Sequence, residues 1–307
     1  MTIDQLQIFL AVAQHMHFTR AAEALYITQP SVSAAIQNLE EQYGVKLFHR
    51  VGRRIELTLA GTMLQVEAQK ILAQVELTER GLRELNDLQR GELKLGASQT
   101  IGNYWLPHFI SLFKQEYPRI CVDCTLGNTT EISEGTMTGL FDLGLVEGEV
   151  EPSVLASLEQ RIVGGDSLQI VVGQSHPWFE QTAVEVAELT NTAWVMREKG
   201  SGTRQQFEQV LQNWGIELSN LNIILEMKSG EMVKTAVESG VGSTAISNLI
   251  IVKEVRLNLL RPIKITGLAS STTDPLSRTF LLLKHQERFQ TRISQAFEQL
   301  LVSAGGE

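Results

Sequence analysis

The sequence predicts an α/β protein preceded by a helical head and a long connecting helix, and three observations carry that reading. Two helical segments flank the break Tyr26-Ile27-Thr28, an apolar stripe steps by four and three through residues 64–85, and beyond residue 90 short β-rich runs alternate with helical ones. At 307 residues the chain exceeds what one hydrophobic core usually serves, so two or three domains are expected. Hydrophobic residues at 43% and charged residues at 20% are the balance of an ordinary globular protein able to bury real cores. There is no long apolar span and no basic, apolar, small-residue leader, so a cytoplasmic protein without membrane contact is expected.

The head comes first. Leu6, Phe9, Leu10 and Ala13 recur at helical spacing between Ile3 and about Gln14, and a second helical segment covers residues 19–24. A third helix starts near Gln29. Thr28 suits its N-cap because the hydroxyl can accept from a free backbone N–H, and Pro30 loses no hydrogen bond in a first turn. On a helical wheel Val32, Ile36, Leu39 and Tyr43 take one side. Pro30, Ser33, Ala34 and Gln37 take the other, with Ser31 and Asn38 flanking. Short side chains let a helix seat deeply in a major groove while Gln and Ser offer donors and acceptors to base edges. Helix, short turn and helix in that order is the pattern of a helix-turn-helix.

After Gly44, two short alternating stretches around Val51-Gly52 suggest a hairpin wing that carries Arg50, Arg53 and Arg54 toward phosphates or a minor groove. The net charge of −9 does not contradict this, because the acidity lies elsewhere. Residues 1–60 hold five Lys/Arg against five Asp/Glu, whereas residues 91–307 hold 17 against 25. Lys46, Arg50, Arg53 and Arg54 fall within nine positions, and a local basic cluster matters more for phosphate contact than the chain total.

Taken in order, Phe18-Thr19-Arg20-Ala21-Ala22-Glu23-Ala24-Leu25, Thr28-Gln29-Pro30-Ser31-Val32-Ser33, Leu39-Glu40, Gly44, Leu47-Phe48-His49-Arg50 and Leu57-Thr58-Leu59-Ala60-Gly61 resemble the LysR-type transcriptional regulators in residues and spacing. The resemblance implies a winged helix-turn-helix over residues 1–58 that binds double-stranded operator DNA. It would place Thr28, Gln29, Pro30, Ser31, Ser33, Ala34 and Gln37 near the duplex and Arg50, Arg53 and Arg54 in the wing. Many relatives carry a basic residue in the recognition helix where this chain has Ala34-Ala35. The resemblance leaves RNA polymerase open as a further partner.

The linker helix, expected over residues 59–90, has the stripe Leu64, Ala68, Ile71, Val75, Thr78, Leu82 and Leu85, a coiled-coil seam with one polar interruption. The rest of the helix is polar, so a single copy would leave this stripe in water. Pairing with a second copy is one remedy, and packing on the chain's own C-terminal part is the other. The resemblance favours a homodimer, and relatives commonly pair dimers into tetramers.

From residue 91 onward, β-rich runs at 93–97, 121–126, 143–146, 168–172, 193–196 and 223–226 alternate with helical segments and predict mainly parallel sheets. Ligands in such sheets sit beyond the C-terminal strand ends, where helix N-termini present N–H groups to anions. Ser98, Gln99 and Thr100 follow the first run, and Asn128, Thr129 and Thr130 follow the second. Ser201, Gly202, Thr203 and Arg204 occupy a glycine-containing loop suited to an oxyanion. Each of these loops could equally be an ordinary N-cap. Glu147 could also line such a site, although its charge fits an anion poorly. The resemblance adds a two-lobed, periplasmic-binding-protein-like effector domain with lobe I at 91–162 plus 268–307, lobe II at 163–267, and hinges at 161–165 and 266–268. The expected ligand is a small anionic effector, with no other cofactor.

Enzyme chemistry is not expected. The chain has no Gly-x-Ser-x-Gly elbow, no His-Glu-x-x-His and no P-loop, and its six histidines show no metal-ligand spacing. Cys121 and Cys124 lie three apart in a strand pattern and so face opposite ways, which predicts two reduced, packed thiols rather than a metal or redox pair.

Overall fold

The structure is a computed structural model that describes residues 1–51, 54–84, 91–267 and 274–304, with backbone alone for residues 50, 51, 54, 84 and 304. It contains two compact units, Met1–Leu82 and Arg83–Glu307.

The first unit runs α1 (Ile3–His15), α2 (Phe18–Ala24), α3 (Gln29–Tyr43), β1 (Phe48–Val51), β2 (Arg54–Leu57) and most of α4 (Leu59–Glu84). Thr2 and Gln5 form a reciprocal capping box at the start of α1, and Thr28 caps α3 by accepting from the Ser31 N–H. Leu6, Phe9, Val12, Ala21, Val32, Ile36, Leu39 and Phe48 form one core, each of these side chains larger than alanine contributing ~1.5–3 kcal/mol on burial. Tyr43 departs from the wheel: in the last turn of α3 it lies 50% exposed. The hairpin forms as expected, Phe48 pairing with Leu57 and Val51 with Arg54. Glu40 of α3 fixes it by accepting from the N–H groups of Leu47 and Phe48, while Thr58 donates to the Lys46 carbonyl and accepts from Gly61 N–H.

The seam proposed for α4 is only partly free. Ala68 is fully buried and Leu64 half-buried in the helix-turn-helix core, joined there by Ala60 and Leu72. Ile71 and Leu82 remain exposed, as do Leu59, Met63 and Val66, which the seam did not include. The first turns of α4 spend part of their apolar surface at home because Gly61 brings the helix against the Leu47 carbonyl, where a Cβ would collide. Leu85 lies outside the described residues.

The second unit begins with β3 (Gly91–Ser98), a π-type turn at Ile101–Trp105, α5 (Leu106–Glu116), β4 (Ile120–Gly127), α6 (Thr129–Thr138), β5 (Leu143–Glu147) and α7 (Pro152–Leu155). It continues through β6 (Leu158–Gly173), β7 (Ala183–Glu185), β8 (Ala193–Arg197), α8 (Gly202–Asn213), β9 (Asn222–Met227), α9 (Gly230–Glu238) and β10 (Ser243–Ser247). It closes with α10 (Val252–Arg256), β11 (Leu260–Pro262), β12 (Lys264–Thr266), β13 (Ser277–His285) and α11 (Arg292–Ala304). The strands follow the order β4-β3-β5-β13-β6-β10-β8-β9, with β11 also on β6. The β3–β4, β3–β5, β8–β9 and β8–β10 pairs are parallel, as expected. By contrast β13 runs antiparallel to β5 and β6, and β6 antiparallel to β10, so the sheet is mixed.

Two lobes arise because β6 changes partners along its length. Leu158 to Ser167 pair with β13, and Leu168 to Val172 pair with β10. The change falls at residue 167, not 162, since Gly164 and Gly165 still pair with Phe280 and Thr279 of lobe I. On the return crossing, Thr266 still pairs within lobe II, and the proposed hinge residue Leu268 lies outside the described residues. Lobe I is centred on Leu95, Phe113, Phe280 and Phe297, and lobe II on Trp194, Phe207, Leu168 and Ile170. The thiols differ from expectation in one respect. Both are free, but Cys121 is exposed on the outermost strand, while Cys124 is half-buried and its pKa is pushed up by that burial and by Asp123.

Candidate DNA interface and effector site

In the first unit the two sides of α3 separate as the wheel required. Val32, Ile36 and Leu39 are buried, while Thr28, Gln29, Pro30, Ser31, Ala34 and Gln37 are exposed and Ser33 is half-buried. Local bonds order this surface. The Thr28 and Ser31 hydroxyls share a hydrogen bond of 2.8 Å, Gln29 Nε2 donates to Ser33 Oγ at 2.8 Å, and Gln37 Nε2 donates to Glu41 Oε1 at 2.7 Å. No acidic residue stands in the first turn of α3, so the positive end of its dipole is uncompensated.

Tyr26 was not singled out in the sequence. It occupies the turn before α3 at φ +55° and is 96% exposed. A large aromatic held in the left-handed region beside α3 was the available signal, hidden because it reads as a mere helix break. Of the basic cluster, Lys46 is already engaged: its ammonium lies 2.6 Å from Glu40, which raises its pKa. Arg53 lies outside the described residues, and of Arg50 and Arg54 only the backbone, on β1 and β2, is described.

In the second unit, strand ends from both lobes converge. Ser98 at the end of β3 donates to the Glu147 carboxylate at the end of β5, and both side chains are buried. Thr129, first residue of α6, donates to the Glu147 carbonyl at 2.6 Å and accepts from the Gly202 N–H of lobe II at 3.1 Å. A second bond between lobes runs from Thr130 N–H to the Gly200 carbonyl at 3.3 Å. Gly202 is required here because a Cβ would overlap the Glu147 carbonyl and come within 2.6 Å of Thr129 Oγ1.

Beneath these loops lies a residue the sequence reading did not identify. Arg278 on β13, 2% exposed, donates through Nε and Nη2 to the two oxygens of Asp166 at 2.5 and 2.9 Å, and through Nη1 to Thr203 Oγ1 at 3.0 Å. Its Nη1 is also 3.5 Å from Glu147, and Ser247 of lobe II donates to the same Asp166. Burial opposes its charge, but Glu147 and Asp166 outweigh that and raise its pKa. Long-range pairing of β13 with β6 puts these groups together, so no local motif could have announced them.

The other expected site residues divide. Thr100 is fully buried with an unpartnered hydroxyl, and Ser201, 2% exposed at the N-cap of α8, makes no capping bond. Gln99 is half-buried, and its carbonyl accepts from Asn103. Asn128 caps α6 through Glu131 N–H and also reaches Glu198 across the cleft. Burial tends to raise the Glu198 pKa, but Arg197 and Asn128 overcome it and leave it lowered. Arg204 does not join the cluster. Its guanidinium binds Glu208, Glu226 and the Arg197 carbonyl within lobe II, because α8 turns that position away from the strand ends. Glu147, the doubtful member, is a fixed part of the lobe contact.

No group of three or more His, Cys, Asp or Glu able to hold a metal occurs among the described residues, and no helix among them is long and apolar enough to cross a membrane.

Two family models match the chain: the "Bacterial regulatory helix-turn-helix protein, lysR family" over residues 3–62 and the "LysR substrate binding domain" over residues 86–306. A probable RuBisCO transcriptional regulator from Cyanidioschyzon merolae is 34% identical over 302 residues, covering 98% of each chain. Among solved structures, full-length CbnR complexed with its target DNA matches with a TM-score of 0.72 at 21% identity, covering 99% of this chain and 100% of that one. The Synechocystis PCC6803 CcmR regulatory domain in complex with 2-PG matches at 0.61 and 23% identity, covering 70% of this chain and 97% of that domain. The fold, the mixed α/β unit behind a helix-turn-helix and the family models agree, and the chain belongs to the LysR family of DNA-binding transcriptional regulators rather than to any class of enzyme.

Proposed function

We propose that this regulator reads operator DNA with the exposed side of α3 and that a small anionic metabolite bound between its two lobes changes operator binding. The observation that carries the reading is the split of α3 into a buried apolar side and an exposed side made of Gln29, Pro30, Ser31, Ala34 and Gln37. These residues approach base edges, Thr28 and half-buried Ser33 support them at the groove wall, Tyr26 lies against the backbone, and Arg50, Arg53 and Arg54 meet phosphates. CbnR, solved with its target DNA, supports this docking. Action on DNA implies a cytoplasmic protein.

Effector binding is assigned to the strand ends bearing Ser98, Gln99 and Thr100, Asn128 and Thr129, and Ser201, Gly202 and Thr203. The buried Thr100 hydroxyl lacks a partner, the Ser201 hydroxyl makes no capping bond, and helix N-termini direct N–H groups at the same place. Arg278, in place of Arg204, anchors Thr203 below them through Nη1. The CcmR domain, solved with 2-PG, supports a small effector here. A carboxylate, phosphate or sulfur oxyanion fits the donor set. Exposed Leu59, Met63, Val66, Ile71 and Leu82 on α4 support a homodimer through this helix, and dimers can pair into tetramers.

Gel-shift titrations with the DNA upstream of the chain's own gene, run over a range of salt, test the reading. Affinity should fall steeply with salt, and Gln37→Ala should lose ~1–3 kcal/mol at the preferred site. Thr100→Val should bind the same DNA normally yet lose its response to the anion that alters the wild type. Salt-independent binding, or an unchanged affinity in Gln37→Ala, would refute the assignment of α3.

A further inference from the structure

A ligand-sized space lies along β13 and β6, between the two lobes. It is a groove of about 480 Å³, within the roughly 300–1,000 Å³ typical of small-molecule sites. Ser277 and Thr279 alternate with Arg278 along β13, so the Arg278 side chain serves the strand-end cluster while its neighbours face the groove. One wall is lobe I, with Gln160 on β6 and the loop residue Glu149 after β5; the other is lobe II, with Gln206 and Gln209 of α8. Val150, Leu155 and Leu281 add apolar surface. The groove continues into a recess of about 260 Å³ bordered by Gln205 and Gln212.

The chemistry of this lining differs from that of the strand-end site. It is rich in glutamine amides, which both donate and accept hydrogen bonds. Glu149 is exposed with no counter-cation among the described residues, whereas Glu208 in the recess is held by Arg204. Among the described residues of the lining Arg278 is the only cation, and Asp166, Thr203 and Glu147 already occupy its guanidinium. Gln205 Oε1, close to the Gly148 backbone, is buried without a hydrogen-bond partner and so lacks a donor.

We propose that this groove is a second small-molecule site that takes a hydroxyl-bearing amine of amino-sugar size. The ammonium sits against Glu149, and hydroxyls exchange hydrogen bonds with Gln160, Gln206 and Gln209. Because the occupant touches β6 and β13 of one lobe and α8 of the other, it binds one lobe arrangement more tightly and so couples to the strand-end anion site.

The test is calorimetric titration of the full chain with glucosamine, with glucose and gluconate as neutral and anionic counterparts. Glucosamine should bind saturably, glucose more weakly and gluconate not in this groove. Glu149→Gln and Gln209→Leu, both at exposed positions, should each weaken glucosamine by about tenfold or more, while Thr100→Val leaves it unchanged. Absence of saturable glucosamine binding, indifference to both groove variants, or loss of binding in Thr100→Val would overturn the proposal. Thr100→Val also separates it from the anion reading, since failure there leaves the groove result standing.

Discussion

Replacing Arg278 with methionine removes one cation from a place where water cannot compensate. The Arg278 side chain is 2% exposed and that of Asp166 0%, and the lost donors are two to Asp166 and one to Thr203. Asp166 and Glu147 would be left as uncompensated carboxylates in the interior. Breaking a buried ion pair from one side costs about 3–5 kcal/mol, because the surviving charge keeps its desolvation penalty. At ~2–4 °C per kcal/mol for a domain of this size, the transition of the second unit should fall by roughly 6–20 °C in scanning calorimetry. The triple variant Arg278→Met, Asp166→Asn, Glu147→Gln should recover much of that loss, since neutral groups no longer require a cation. A loss below ~1 kcal/mol in the single variant, or no recovery in the triple, would refute the claim that Arg278 is the charge centre of the crossing.

Two other expectations follow from close packing and burial. Gly202→Ala places a methyl against the Glu147 carbonyl and Thr129 Oγ1, so the lobes must separate there; overpacking of this kind costs ~1–3 kcal/mol, and calorimetry should show the loss together with weaker binding of the proposed anion. Normal stability and affinity would mean the lobes do not meet at this glycine. His176 accepts from Trp178 N–H and pairs with Thr192 Oγ1 at 2.8 Å, and burial lowers its pKa. A depressed folded pKa means its stabilisation is present above the ordinary imidazole value of about 6.5 and is lost as pH falls through the folded value. Thermal stability should therefore drop more between pH ~7 and pH ~5 in the wild type than in His176→Gln, and equal slopes would exclude His176 as the cause.

Where local pattern decides the structure, the sequence was readable. Thr28 and Pro30 mark the start of α3, and the 3.6-residue period alone separates Val32, Ile36 and Leu39 from Gln29, Ala34 and Gln37. The strands around residues 93–97, 121–126 and 193–196 were equally visible. By contrast β10, with the buried sequence Ser-Thr-Ala-Ile-Ser, has little apolar signal of its own and is a strand because β6 and β8 flank it. On α4 periodicity shows that the stripe through Leu64 and Ala68 must be covered, by a second copy or by the chain itself, and only packing shows that the helix-turn-helix core covers these two.

By itself the sequence determined the reading head, its small polar surface, the alternation of strands and helices, and the hydroxyl-bearing loops at strand ends, because caps, periods and turns act within a few residues. Tertiary structure alone decided that Arg278, Asp166, Glu147 and Thr203 meet, that Arg204 turns away, and that Gly202 touches the opposite lobe. Those positions are separated by 75 and 112 residues along the chain in the Arg278 bonds to Thr203 and Asp166. Their contact exists only because β6 leaves one lobe for the other and β13 returns beside it. Charges that a linear pattern treats as unrelated thus become one buried network.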